Sequence, residues 1–146
     1  MNLWQDFKTN QGKLIHKWMH YFPIYERHLS PWRNKTMTFI EIGVSKGGSL
    51  QMWRRFFGPM ATIVGIDIDP ACASHQEEDI HVRIGDQSDP RFLQTLIDEF
   101  GQPDGVLDEP VPRGSIVRVH PALRMIGLTS RTGASTRRPR WPGIAR

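Results

Sequence analysis

The sequence predicts an α/β fold built on a doubly wound parallel sheet. Three observations carry that prediction. Short apolar runs alternate with helical patterns from residue 38 to residue 108, strand first. The first of these runs ends in a glycine-bearing turn that opens directly into a helix. The second ends in an aspartate, Asp67, at the spacing expected of a nucleoside-binding carboxylate.

The elements follow in order. Leu14, Trp18 and Phe22 recur at helical spacing, with His16, Lys17 and His20 between them. Pro23 begins a second helical stretch, PIYERHL, which Ser30 and Pro31 stop. Residues 1–37 are therefore read as an N-terminal helical segment. Thr38 to Gly43 is the first strand. Ser49 to Phe57 is a helix with Leu50, Trp53 and Phe57 on one face and Arg54 and Arg55 outward, ended by Gly58-Pro59. Ala61 to Ile66 is a continuous apolar strand of the kind a parallel sheet buries on both faces. Pro70 to Asp79 is a short, partly helical connection. Ile80 to Ile84 is a third strand, followed by Gly85-Asp86. Asp89 caps a helix that Pro90 begins, with Leu93, Leu96, Ile97 and Phe100 as its apolar stripe and Gly101 as its stop. Gly105 to Leu107 is a fourth strand, ending at Asp108-Glu109. Crossovers between such strands are right-handed.

At 146 residues the chain suits one domain with a real core. Its single cysteine, Cys72, excludes an internal disulfide framework and fits a reducing compartment. The N-terminus has no apolar signal region, and no apolar run is long enough to span a membrane. A soluble cytoplasmic protein is expected. Charge is divided unevenly. Residues 1–109 hold 11 Lys and Arg against all 15 acids, whereas residues 110–146 hold 8 Arg and no acid. That last stretch has five prolines and four glycines in 37 residues and no sustained period, so apart from a brief extended segment over Ile116, Val117 and Val119 it reads as an irregular tail.

The turn after the first strand, FIEIGVSKGGSL, carries the chemistry. A dinucleotide fingerprint needs G-x-G-x-x-G. Here Ser45 stands at the middle glycine position, and Glu41 lies two residues before the first glycine. S-adenosylmethionine has no pyrophosphate to cradle, but it carries a sulfonium and an amino group. Glu41 at the strand end is placed to act on that cationic end, directly or through water. Gly43, Gly47 and Gly48 let the backbone turn sharply and approach a ligand. Asp67, 19 residues past Gly48, is spaced to accept hydrogen bonds from ribose hydroxyls. His16, His20 and His28 read as solvated histidines on amphipathic helices, because a zinc motif's Glu and third ligand are lacking.

Residues 1–109 resemble the class I S-adenosylmethionine-dependent methyltransferases, in the macrocin O-methyltransferase and cephalosporin-hydroxylase-like group. The segments that carry the resemblance are HKWMHYFPIYERHL, FIEIGVSKGGSLQMWRR, IVGIDIDP and HVRIGDQSDP. The resemblance implies a Rossmann-like sheet of seven strands, of which this chain supplies about four. It implies a cofactor-binding half over residues 38–109, with Glu41, Gly43 and Gly47 forming the cofactor loop, Asp67 holding the ribose and Asp86 near the adenine. It implies methyl transfer to a hydroxyl of a sugar or other natural product. Where the family has an acid pair followed by Gly-Ser-His, this chain has Asp108-Glu109 and then Pro110-Val111-Pro112. In related enzymes such acids bind Mg²⁺, which makes Asp108 a candidate metal ligand. No catalytic base is evident; His16 and His20 are candidates if the N-terminal helices cover the site. Asp69 is read as helping the turn into Pro70.

Two other functions remain open on sequence. One is nucleic-acid binding through Arg113, Arg118, Arg124, Arg131, Arg137, Arg138, Arg140 and Arg146, with Trp141 to stack on a base, although the tail matches no recognised motif and the body is acidic. The other is a nicotinamide-dependent oxidoreductase, which the missing middle glycine opposes. A fourth strand left as an edge exposes unpaired backbone groups, which predicts poor solubility or dimerisation through it. The acid-free, Arg-only tail has the composition of an out-of-frame translation of GC-rich coding sequence, so a frameshifted and inactive methyltransferase is expected. The nucleotide sequence around the Glu109 codon tests this: methyltransferase-like sequence continues in another frame, and its absence removes the idea.

Overall fold

The computed structural model describes residues 2–108. The extended segment expected over residues 116–119, the tail arginines and Glu109 lie outside the described residues. The body is a four-stranded parallel sheet with the order β3-β2-β1-β4. Its strands are β1 (Met37–Ile42), β2 (Ala61–Asp67), β3 (Ile80–Ile84) and β4 (Gly105–Asp108). Helix α3 (Gly48–Phe57) joins β1 to β2, and α4 (Pro90–Phe100) joins β3 to β4. Between β2 and β3 the connection is a 3-10 segment, Pro70–His75, capped by Asp69 through Ala71 N–H. The expected Asp69 turn and the Asp89 cap on α4 are both formed.

Each strand alternates its side chains between two cores, as the period of two demands. Met37, Phe39, Ile63, Val82 and Leu107 pack with α3 and the N-terminal helices. Ile40, Ile42, Val64, Ile66 and Val106 pack against Leu93 and Leu96 of α4. Trp53, fully buried, is the hub of the first core, with its ring 5.3 Å from those of both Tyr25 and Phe39. Burying one large apolar side chain stabilises by roughly 1.5–3 kcal/mol, so these interiors dominate stability. Glycines allow the layers to close. A side chain at Gly65 would run into Leu50 and Val44, both 2.7 Å from where its Cβ would stand.

The N-terminal segment differs from the sequence expectation. The helix expected around Leu14, Trp18 and Phe22 is absent over residues 10–18. Instead α1 spans Leu3–Lys8, and α2 spans Phe22–Leu29 after a 3-10 turn at Met19–Tyr21. A capping box between Asn2 and Gln5 starts α1. Leu14 and Trp18 are 68% and 60% exposed, so their helical spacing marks no packing face. The backbone of residues 13 and 14 is instead committed to contact with α3. Lys13 N–H donates to Gln51 Oε1 (3.0 Å), and any side chain at Gly48 would collide with the Lys13 and Leu14 carbonyls.

The sheet topology places the site. From β1 the chain winds to β2 and β3 on one side, then crosses to β4 on the other. The reversal at β1 opens a crevice outside the carboxyl ends of the strands, where parallel sheets bind ligands.

Candidate functional site

All four strand ends contribute to that crevice. It has a volume of about 280 Å³ and is lined by Ile42, Gly43, Ile66, Asp67, Ile68, Gly85, Asp86, Gln87 and Asp108. Four of the residues singled out on sequence, Gly43, Asp67, Asp86 and Asp108, therefore share one cavity. Glu41 and Gly47 do not line it.

Gly43 is required by conformation. Its φ is +93°, and nothing lies within 4 Å of where a Cβ would stand. A side chain there would be strained in the backbone and would project into open space at the crevice. Ser45 also has positive φ, at 51°, an unusual conformation for a non-glycine residue. Gly47 (φ +76°) makes the sharp turn expected of it and also gives room to a neighbouring side chain. It is buried, and a Cβ there would come within 2.7 Å of the His75 ring. Gly48 likewise admits the protein's own N-terminal backbone rather than a ligand.

Asp67 holds the turn in shape. Its Oδ2 accepts from Val44 N–H (2.8 Å) and Ser45 N–H (3.3 Å), and its Oδ1 accepts from Asp69 N–H (3.0 Å). Burial alone would push this carboxyl up. The backbone donors of Asp69, Ser45 and Val44, with the Cys72 thiol, outweigh burial and hold it below its ordinary value. The Cys72 thiol is pushed up to about 11, by burial first and then by Asp67. It is thus a neutral donor beside the turn, 3.6 Å from the Ser45 carbonyl. A carboxylate has about four lone-pair sites, and three backbone donors leave Asp67 one of them. Asp86, exposed at the crevice, is held low by the hydroxyl and backbone N–H of Ser88, each 2.7 Å from its Oδ1.

Glu41 lies under the crevice rather than in it. It is 0% exposed and faces α3. Ser49 Oγ donates to its Oε2 (2.6 Å), while Trp53 Nε1 (3.0 Å) and Lys17 Nζ (2.6 Å) donate to its Oε1. The expected direct contact with a cationic ligand is occupied here by a lysine of the same chain. Gln87 escaped the sequence reading, although it stands inside the GDQSDP segment. Its Oε1 is buried in the crevice wall without a hydrogen-bond partner among the described residues, an expensive arrangement for an amide oxygen. His16 and His20 are exposed and line no part of the crevice, and His20 packs its ring 4.3 Å from that of Tyr21. Among the described residues no three His, Cys, Asp or Glu side chains gather as a metal site, so Asp108 stands there without companion ligands. No helix among the described residues is long and apolar enough to cross a membrane.

The chain is similar to several O-methyltransferases. It is 38% identical over 107 residues to 8-demethyl-8-alpha-L-rhamnosyl tetracenomycin-C 2'-O-methyltransferase of Streptomyces olivaceus, covering 68% of this chain and 27% of that one. It is 38% identical over 118 residues to demethylmacrocin O-methyltransferase of Streptomyces fradiae, covering 73% of this chain and 28% of that one. Among solved structures it matches the MycE methyltransferase of the mycinamycin biosynthetic pathway, in complex with Mg and SAH. That match has a TM-score of 0.55 and 38% identity, covering 61% of this chain and 24% of the other. The chain thus spans about a quarter of the length of these relatives. No family model matches it.

The Asp67 geometry sets a pH dependence. Its carboxyl titrates below the ordinary 3.8 in the folded chain, so its stabilisation is complete above that pH and is lost as pH falls through the folded value. Asp67→Asn should remove this share of acid sensitivity, giving a shallower loss of stability below about pH 4 in denaturant titrations. An acid limb identical to that of the unaltered chain would show that the turn does not depend on the ionised carboxylate.

Proposed function

We propose, from the premise that the matched part of this chain belongs to the class I S-adenosylmethionine-dependent methyltransferases of the macrocin O-methyltransferase group, that the strand-end crevice is the S-adenosylmethionine site. The single observation that carries this reading is the crevice wall itself. An open crevice with Ile42, Ile66 and Ile68 in its lining is edged by Asp67, Asp86 and Gln87, whose Oε1 has no hydrogen-bond partner among the described residues. Those residues fit an adenosyl group. The isoleucines would pack on the faces of the base. Gln87 and Asp86 would accept from its amino group, and Asp67 would accept from one ribose hydroxyl with the site its three backbone donors leave over. Gly43 leaves room for the remainder of the ligand.

When bound, the cofactor supplies a methyl carbon made electrophilic by its sulfonium. The chain's residues orient the adenosyl end and exclude water from its apolar faces, so the acceptor oxygen can be aligned opposite sulfur. Transfer to that oxygen would leave a thioether on the cofactor and would need a base to take the hydroxyl proton. We assign no base. The acceptor we propose is a hydroxyl of a sugar or natural product, the class named by the relatives' own substrates. The similar MycE methyltransferase is in complex with Mg. Here the described residues alone do not compose an octahedral oxygen site. Asp108 would be one ligand of such a set, and no step is routed through the metal. We further propose a division of the chain into residues 1–37 as an N-terminal helical segment, 38–109 as the cofactor half and 110–146 as an irregular tail. A cytoplasmic location fits the free thiol of Cys72.

The nucleic-acid alternative rests on arginines outside the described residues, and no observation favours it. The nicotinamide alternative uses the same turn, but the proteins matched are methyltransferases.

Calorimetry with S-adenosylhomocysteine tests the reading. Binding is expected, and Gln87→Leu should weaken it about tenfold, the worth of one good hydrogen bond to a buried acceptor. No heat at millimolar ligand with folded protein would remove it, as would NADH binding in its place. We also propose that copies associate through β4. It pairs with β1, and among the described residues no strand covers its other edge. Sedimentation should then depend on protein concentration, and a single monomeric species throughout would refute the association.

A further inference from the structure

A second groove, apart from the crevice, lies between the two N-terminal helices. Its walls come from the start of α1 (Asn2, Trp4), the 3-10 turn before α2 (Met19) and α2 itself (Phe22, Pro23, Glu26). It has a volume of about 390 Å³ and shares no lining residue with the crevice. That size and those mostly apolar walls are characteristic of a small-molecule site. Aromatic packing builds it. The Trp4 and Phe22 rings meet edge-on at 5.4 Å, and both rest on Phe7, at 5.6 and 4.8 Å. Met19 is 66% exposed, so the groove opens to solvent.

Glu26 is the single charged side chain in that lining. It is half-buried, and its carboxylate meets uncharged donors. Leu3 N–H donates to Oε2 (2.9 Å) and the Ser30 hydroxyl to Oε1 (3.3 Å). Two donors leave about two of its four lone-pair sites. Among the described residues no Lys, Arg or His forms an ion pair with it. Lys8 stands over the Trp4 ring at 5.5 Å but does not line the groove.

We propose that this groove binds an organic cation with an apolar body, an alkyl or aryl amine. Its ammonium meets Glu26, and its hydrocarbon packs on Trp4, Met19 and Phe22. The lone carboxylate sets the sign of the ligand, and the apolar walls set the rest. Six lining residues suit such a molecule and fall far short of the roughly 20–30 that a stable protein partner covers. The proposal stands whether or not the crevice holds a cofactor.

The test titrates naphthylethylamine and naphthylethanol into the full chain at about pH 7.5, where only the amine is charged. The NMR signals of the Trp4 indole N–H and the Met19 methyl group report binding. The amine should bind with a dissociation constant of about 1 mM or tighter, as its size allows. It should bind about fivefold tighter than the alcohol, the scale of an ion pair that solvent still reaches. Glu26→Gln, which keeps an acceptor for Leu3 N–H, should bring the two probes within about twofold of each other. Met19→Gln, at an exposed position, should weaken both about threefold and preserve their ratio. If Glu26→Gln fails to fold, the unaltered chain still decides, through the ratio and through which signals move. Equal binding of the two probes by the unaltered chain overturns the proposal, as does movement confined to crevice signals such as the Gly43 and Gly85 amides. Amine affinity that falls as protein concentration rises gives the groove to a second copy and overturns it as well.

Discussion

A fully buried carboxylate governs the architecture of this chain. Glu41 has no contact with water, and an ionised group in that position costs several kcal/mol unless its partners are supplied. The partners come from separate parts of the chain. Ser49 and Trp53 belong to α3, and Lys17 belongs to the segment over residues 13–17. Satisfying Glu41 therefore docks α3 on the sheet at one angle and draws the N-terminus across it. Trp53 passes the constraint on, because the same indole that donates to Glu41 packs against Tyr25 of α2 and Phe39 of β1. The polar centre and the aromatic core are one construction.

Asp67 performs the corresponding task at the surface. Its carboxylate gathers the N–H groups of Val44 and Ser45 and so holds a turn in which Gly43, Ser45 and Gly47 all have positive φ. Ser45 alone among them carries a side chain at positive φ, and the two N–H contacts to the carboxylate help hold it there. The residue proposed to meet the ribose is thus also the residue that shapes the loop beside it. Ligand recognition and loop geometry share one group, which ties affinity to the order of the turn.

Most of the sheet was legible because its signals are local. The apolar runs at Phe39, Ile63 and Ile80, the Asp89-Pro90 start and the Leu93–Leu96 stripe each declare an element without reference to distant residues. The strand-end cluster of Gly43, Asp67, Asp86 and Asp108 was legible for a related reason: a parallel sheet brings strand ends together whatever the detail. The N-terminus was not legible. The spacing of Leu14, Trp18 and Phe22 imitates a helix, but tertiary contacts with Gln51 and Gly48 hold that backbone out of one. The true helix signal, the Asn2–Gln5 capping box, lay upstream. Lys17 and Gln87 stood inside segments already recognised. Their roles depend on long-range pairing and on burial of a single atom, and neither leaves a spacing in the sequence. Gly47 and Gly48 show the same limit, since a glycine that makes room for His75 or Lys13 looks identical to one that makes room for a ligand.

Residues 13–17 are fastened unequally. The outer ion pair, Lys13 to Glu77, sits about one-third open to solvent, whereas the inner one, Lys17 to Glu41, is sealed. Dissolved salt reaches the first and hardly touches the second. Rising ionic strength therefore loosens only the outermost attachment, while buried Ile15, the Lys13 N–H bond to Gln51 and the sealed pair keep the segment in place.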